Sequence, residues 1–284
     1  MVETLLEPVY RLLSCLPFDV MQARFMQRAV LEIALLAPLC AFCGSLVVQF
    51  RMAFFSDSVS HSAFTGVALG LVLGIDPWLA VIIFGLGTGM MAVQLRRKSE
   101  MAMDTTLGVL FSSTVALGLA IISTKKGLAK TLPGFLYGDI LSISDRDIVL
   151  TALLLIATLI FLLRFYNQLV YTSLHEHLAH ISGVRTSWLE TAFAAMLALV
   201  VAFSIRAVGI LLVTALLVIP AAAARNFAGN LRHQVWFAVL IAMTSGLAGL
   251  ATSLAWDTAT GAAMILWATL FFVMSLPARS LTHG

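Results

Sequence analysis

The sequence predicts an all-α, polytopic integral membrane protein. Of its 284 residues, 61% are hydrophobic and 11% are charged, whereas soluble domains carry roughly 45–50% apolar and ~25% charged residues. The mean hydropathy is +1.01. The apolar runs are near the ~20 residues that a membrane-crossing helix needs, and they are too long for the ~10-residue strands of a membrane barrel. A net charge of +3 is too small for a broad basic face, so nucleic acid is not an expected partner.

We expect eight or nine transmembrane helices, because nine apolar runs are separated by short charged or Gly/Pro-containing breaks. The runs are 29–50, 54–73, 77–95, 103–123, 148–165, 188–205, 208–224, 235–254 and 258–276. No flexible linker divides them. Residues 27–278 are therefore predicted to form one transmembrane domain, preceded by an interfacial or extracytoplasmic segment, 1–26.

The basic residues between the spans predict the orientation. If the nine spans alternate, one side of the membrane receives Arg96, Arg97, Lys98, Arg164, Arg185, Arg225, Arg232 and Arg279. Lys and Arg are enriched in cytoplasmic loops, so that side is predicted to be the cytoplasm. The same alternation places Arg11, Arg24 and Arg28 outside, against the rule. Either residues 3–16 form an amphipathic interfacial helix, or one predicted span is wrong.

Two segments between spans are long enough to meet partner proteins. The external loop 125–147 can receive an external partner. The cytoplasmic segment 167–186 is amphipathic and ends in a Ser–Gly break, which predicts a short helix across the membrane face. Its histidines do not match the H-E-x-x-H zinc motif, so a solvated helix that contacts a partner is the favoured interpretation.

An acid and a histidine stand four residues apart in the apolar segment 51–74. At helical spacing Asp57 and His61 share one face, and Thr65 continues the same stripe. Carboxylate oxygen and imidazole nitrogen suit Zn²⁺, Mn²⁺ or Fe²⁺. The alternative is structural, with Asp57 capping the helix near Arg51 and His61 hydrogen-bonded inside the bundle. The residues alone leave both interpretations open.

Pro220 interrupts the apolar stretch 206–225 and is followed by four alanines. A proline frees a carbonyl and kinks a helix, so this span can bend beside a translocation path. A purely structural kink between packed helices is the alternative that the residues favour. Glu32 and Arg206 are expected to extend toward water from helix ends.

Four blocks in order resemble the permease subunit of the bacterial ABC transporters that import zinc, manganese or iron, the metal-chelate uptake family. They are RMAFFSDSVSHSAFTGVALG, DTTLGVLFSSTVALGL, FLYGDILSIS and RAVGILLVTALLVIPAAAAR. The resemblance extends from about residue 29 to residue 276. It implies a multi-pass subunit of the inner membrane that carries Zn²⁺, Mn²⁺ or Fe²⁺ and holds no permanent cofactor.

The resemblance also implies partners and site residues. The partners are two cytoplasmic ATPases, an extracytoplasmic metal-binding protein and a second permease, either another copy or a paralogue. The family's metal-pathway pair falls on Asp57 and His61, with Ser60 and Thr65 as possible helpers. The ATPase-docking helix falls on Leu174, His175, Glu176, His177, Leu178, Ala179, His180 and Gly183.

Two other classes of transporter stay open. One is an ABC permease for a bulkier substrate such as cobalamin or a siderophore, which would not need the Asp57–His61 pair. The other is an ATP-independent secondary transporter, which would be expected to show inverted repeats and more buried acids. The chain has no G-x-x-x-x-G-K-[ST] motif, so it is not itself the ATPase, and no enzymatic activity is expected.

Overall fold

The computed structural model describes residues 2–14, 19–99, 101–124, 140 and 143–282, and this part of the chain is helical without β-strands. A short 3₁₀ helix, Asp19–Gln22, joins the first two α-helices. The α-helices are α1 (Val2–Ser14), α2 (Arg24–Gln49), α3 (Ala53–Leu73), α4 (Pro77–Ser99), α5 (Met103–Thr124), α6 (Asp145–Leu174), α7 (Glu176–Ile181), α8 (Thr186–Val208), α9 (Ile210–Phe227), α10 (Leu231–Trp256) and α11 (Thr260–Thr282). The predicted all-α class is confirmed.

Seven of the described helices are long and apolar enough to cross a membrane: α2, α4, α5, α6, α8, α10 and α11. The protein is therefore a multi-pass membrane protein. The other two predicted spans, 54–73 and 208–224, correspond to α3 and α9. Helix α3 carries four serines and packs among α4, α5, α8 and α9, which bury these serines and Thr65. Together these nine helices agree with the approximate prediction of eight or nine.

One end of the bundle gathers the basic residues, and we call it the basic end. Here Gln49 donates a hydrogen bond to Gln234 at 3.0 Å, which joins the end of α2 to the start of α10. Phe50 stacks on Phe193 with ring centroids 5.5 Å apart, which joins the end of α2 to the start of α8. Arg96 and Arg97 lie at the same end. Helices α2 and α4 therefore end where α8 and α10 begin.

Helix α6 is longer than the predicted span 148–165. It begins at a capping box in which the Ser144 amide donates to the Asp147 carboxylate at 3.1 Å. It then continues through the first part of the amphipathic segment to Leu174. Only Glu176–Ile181 forms a separate short helix, α7. The apolar pattern underestimates the length of α6, because the helix continues past the apolar part of the sequence.

The chain breaks between α8 and α9 at Gly209, which has φ 87° and ψ 164°. Residues with a Cβ rarely adopt such a positive φ, so glycine suits this reversal. Pro220 lies inside α9, as predicted from its position in the stretch 206–225. Its missing N–H leaves the Leu216 carbonyl without its helical donor. A functional bend at Pro220 stays a prediction.

Residues 2–14 form helix α1, in agreement with the helix offered as one alternative for residues 3–16, and α1 is held against the ends of α2 and α6. Its position at the membrane interface stays a prediction. The Tyr10 hydroxyl donates to Asp145 at 2.6 Å, and Arg28 donates to the same carboxylate at 2.7 Å. Burial and the Asp145 carboxylate raise the pKa of Tyr10 to about 12. Arg24 pairs with Glu7 at 3.1 Å. Ion pairs thus offset Arg24 and Arg28, two of the three arginines that conflict with the charge rule.

Glu32 does not extend toward water as expected. Its side chain is buried in α2, and Thr151 of α6 donates a 2.8 Å hydrogen bond to it. Arg206 does lie at an open position and pairs with Asp147 at 2.9 Å. The expectation for Glu32 fails because α6 covers this part of α2. Most of the predicted external loop, including most of the block FLYGDILSIS, lies outside the described residues.

Candidate functional site

Helix α3 places Asp57 and His61 on one open face. Their Oδ1 and Nε2 atoms are 3.8 Å apart, as expected for residues one helical turn apart. Thr214 of α9 approaches Asp57 Oδ1 at 3.4 Å. The His61 ring packs edge-on against Phe111 of α5, with centroids 4.9 Å apart. The two predicted ligands are therefore together, and helices α5 and α9 flank them.

The pair lies at mid-height of the bundle. Phe55 and Val59 of α3 approach Gly89 and Gly85 of α4, respectively, since the two helices are antiparallel. These contacts place Asp57 beside residue 87, near the middle of α4. An ionisable pair at this depth is costly unless it faces a cavity or a partner. Asp57 is the fifth residue of α3, about one turn past the N-cap Met52, and the start of α3 has no side-chain cap hydrogen bond, so Asp57 does not cap this helix.

The exposure of the pair also distinguishes it from the rest of α3. The side chain of Asp57 is 37% exposed and that of His61 is 26% exposed, although most nearby residues of α3 are buried. Among the described residues, no three His, Cys, Asp or Glu side chains are grouped so that they could hold a metal ion. One chain therefore brings two predicted ligands together on an open side.

The two predicted helper residues differ in their surroundings. Thr65 is fully buried and donates its hydroxyl to the Thr114 carbonyl of α5 at 2.6 Å. This bond fastens α3 to α5 and uses the only proton of the hydroxyl. Ser60 is also buried, and its oxygen has no hydrogen-bond partner among the described residues. Of the two, Ser60 retains the hydroxyl that is free to change partners.

The predicted docking segment surrounds α7 at the basic end. Leu174 ends α6, His175 lies between the helices, and Glu176, His177, Leu178, Ala179 and His180 belong to α7. Gly183 follows α7 with a φ of 85°. Ala179 is buried against the bundle, while Leu174, Leu178 and Ile181 are 59%, 50% and 69% exposed. The segment therefore presents exposed apolar side chains beside a groove of about 990 Å³ that contains His177, His180 and Arg185.

A buried carboxylate connects α7 to the transmembrane helices. Glu190 of α8 is 8% exposed and accepts hydrogen bonds at 2.9 Å from both Arg96 and Arg97 at the end of α4. Arg96 also donates to Glu176 of α7 at 3.0 Å. We call these four residues the charge cluster. It joins the docking segment to α4, which packs against α3.

The sequence did not predict the charge cluster as a unit. Arg96 and Arg97 indicated orientation, and Glu176 was assigned to the docking segment, but Glu190 received no role. A signal was present, because Glu190 is an acid near the start of an apolar span. Its partners lie 93 and 94 residues earlier in the chain, so only the fold could identify them.

The fold and the site define a multi-pass helical membrane protein. It has an Asp–His pair at mid-height, Asp57 and His61, and a short exposed helix, α7, at its basic end. The ABC 3 transport family matches residues 22–279, so the chain belongs to this family of transport permeases. The suspected family is thereby confirmed.

Similar proteins cover nearly the whole chain. The high-affinity zinc uptake system membrane protein ZnuB of Haemophilus influenzae is 33% identical over 248 residues, which are 87% of this chain and 95% of that protein. The manganese transport system membrane protein MntC of Listeria monocytogenes is 28% identical over 255 residues, 90% of this chain and 91% of that protein. A solved structure, PsaBC from Streptococcus pneumoniae in complex with Fab, is similar with a TM-score of 0.79 and 28% identity, covering 92% of this chain and 95% of that one.

Proposed function

We propose that this chain is the permease subunit of an ATP-driven importer that moves zinc, manganese or iron ions into the cytoplasm. The observation that carries the proposal is the Asp57–His61 pair, which lies at mid-height of the bundle on an open face. Similarity to ZnuB and MntC, named for zinc and manganese transport, supports the same substrate class.

The chemistry of the pair suits transient metal binding. A bare divalent ion cannot cross hydrocarbon, so the path must replace its water with ligands that hold it loosely enough for release. Asp57 and His61 supply one oxygen and one nitrogen, half of a tetrahedral set. A second permease facing the open side, another copy or a paralogue, would supply the other half. Ser60 and Thr65 are proposed as minor helpers, and the hydrogen bond of Thr65 makes Ser60 the better candidate of the two.

ATP hydrolysis is assigned to separate cytoplasmic subunits that dock on α7. Exposed Leu174, Leu178 and Ile181 give such a subunit an apolar surface to cover. The charge cluster then transmits motion of α7 to α4 and α8. Because α4 packs against α3, movement at the basic end reaches the metal pair and opens the path alternately to each side.

The proposal also includes the orientation of the bundle in the membrane. The basic end faces the cytoplasm of a bacterial inner membrane, in agreement with the enrichment of Lys and Arg on the cytoplasmic side. The opposite end, with α1 and the start of α6, then faces the extracytoplasmic metal-binding protein. Residues 27–278 act as the transmembrane permease domain, and residues 1–26 form an extracytoplasmic or interfacial segment.

An uptake experiment separates this function from the two alternatives. Cells that lack the permease are given the wild-type chain together with its ATPase and binding protein, and accumulation of zinc, manganese, iron and cobalamin is measured. We expect uptake of one or more of the metals and no uptake of cobalamin, with loss of uptake when the ATPase is inactivated. Metal uptake without ATPase activity would indicate a secondary transporter, and uptake of cobalamin would indicate the bulkier-substrate permease.

A further inference from the structure

We infer that the groove between α6 and α10 at the basic end binds one anionic phospholipid. The groove has a volume of about 750 Å³ and lies on the outside of the bundle. Helix α2 separates it from α3, because α2 packs against both α6 and α10 and hardly touches α3. The groove is therefore distinct from the metal pair. It shares no lining residue with the groove beside α7, although Leu174 of the docking segment is part of its lining.

The walls of the groove match an acyl chain. Leu159 and Leu163 of α6 line one side, and Trp236 of α10 lines the other. Phe42 of α2 forms the floor, with its ring edge-on to Trp236 at a centroid distance of 6.4 Å. Leu163 and Trp236 are 85% and 59% exposed. These side chains form an exposed apolar surface.

The polar end of the groove matches a lipid headgroup. Asn167 and Arg232 line it beside Tyr171, and the lining includes no acidic side chain. Within the described part of the chain, no carboxylate pairs with Arg232. Exposed Tyr171 at this end, and Trp236 one turn along α10 from Arg232, are typical of a membrane–water interface. An unpaired guanidinium there favours a lipid with net negative charge.

The length of the groove fits one leaflet. Leu159 and Asn167 are eight residues apart on α6, about 12 Å at the helical rise of 1.5 Å per residue. Half of a hydrocarbon core is about 15 Å thick. A phospholipid whose tail lies along Leu159 and Leu163 therefore brings its phosphate to Asn167 and Arg232. A water-soluble partner would not need this long apolar segment.

Native mass spectrometry of the purified, assembled transporter tests the inference. The protein is incubated with phosphatidylglycerol or phosphatidylcholine of equal chain length, and bound lipid per permease is counted. We expect wild type to retain phosphatidylglycerol preferentially, and Arg232→Gln to lower that retention about fivefold, the effect of ~1 kcal/mol for one arginine at an anionic surface. Trp236→Ala should lower retention of both lipids.

Arg164→Gln is the matched control, because Arg164 is on the same helix α6 and does not line the groove. Its lipid retention should equal that of wild type. Equal retention of both lipids by wild type, or the same loss in the Arg164 variant, would overturn the inference. The inference would also be overturned if a second copy of the chain covered the groove. That result would appear as a dimer that carries no bound lipid and dissociates more readily in Trp236→Ala. Thermal unfolding of each variant shows that it is folded.

Discussion

Replacing Glu190 by alanine should loosen the basic end and uncouple ATP hydrolysis from transport. The substitution removes the carboxylate that forms ion pairs with Arg96 and Arg97, both at 2.9 Å. Glu176 is then the one carboxylate of the charge cluster left to pair with the two guanidiniums. Glu176 is 45% exposed, so its attraction is partly screened by water. Glu190 itself is 8% exposed, so the lost interactions are shielded from solvent.

The expected magnitude lies between two known limits. Removing one partner of a fully buried ion pair costs roughly 3–5 kcal/mol, and an exposed pair is worth roughly 0–1 kcal/mol. The carboxylate here is buried, but the arginines are 26% and 27% exposed. We therefore expect a loss of about 2 kcal/mol, an intermediate value between these limits. For a chain of this size that loss lowers the unfolding temperature by roughly 4–8 °C.

The assay measures thermal unfolding of the assembled transporter and the amount of ATP hydrolysed per metal ion transported. Glu190→Ala should lower the unfolding temperature and raise the ATP used per ion, since α7 then moves without carrying α4 along. Glu7→Ala is the control, because Glu7 also pairs with an arginine but both side chains are well exposed. If the two variants behave alike, the charge cluster is an ordinary surface feature and this reasoning is wrong.

Two further predictions concern packing and the N-terminal helix. A Cβ on Gly249 would lie 2.6 Å from the Met264 backbone nitrogen, so Gly249→Ala should separate α10 from α11 and lower the unfolding temperature. Gly87→Ala is the control: a Cβ at Gly87 would have no atom within 4 Å, so this substitution should have no destabilising effect. Tyr10→Phe removes a 2.6 Å hydrogen bond to Asp145 and should weaken docking of α1 by about 1.5–3 kcal/mol, the range for a bond to a charged group. Hydrogen exchange of residues 6–14 measures this change, and unchanged protection would contradict it.

The sequence predicts the helices well because apolar length alone decides which segments can span a membrane. It also predicts the juxtaposition of Asp57 and His61, since their spacing of four residues needs only a helix. Both predictions depend on local pattern. Neither requires knowledge of which helices are neighbours.

What the sequence does not predict depends on contacts between distant segments. Glu190 meets Arg96 and Arg97, and Glu32 meets Thr151 of α6, only after the bundle forms. The apolar pattern predicts a break between the spans 188–205 and 208–224, but the position of the break at Gly209 and its positive φ are visible only in the fold. The site is therefore predictable where it is local and unpredictable where it is tertiary.

We propose above that Asp57 and His61 hold the metal ion during transport. The most direct test measures accumulation of zinc, manganese and iron in cells that carry the complete transporter. Wild type is compared with Asp57→Ala and His61→Ala at equal membrane expression and equal ATPase assembly. Asp104→Ala and His233→Ala are matched controls, because both residues are exposed and lie on other helices. Loss of uptake of at least one metal in the first two variants, with uptake retained in the controls, is the predicted result. Undiminished uptake of all three metals in Asp57→Ala and His61→Ala would contradict the account and make the pair structural.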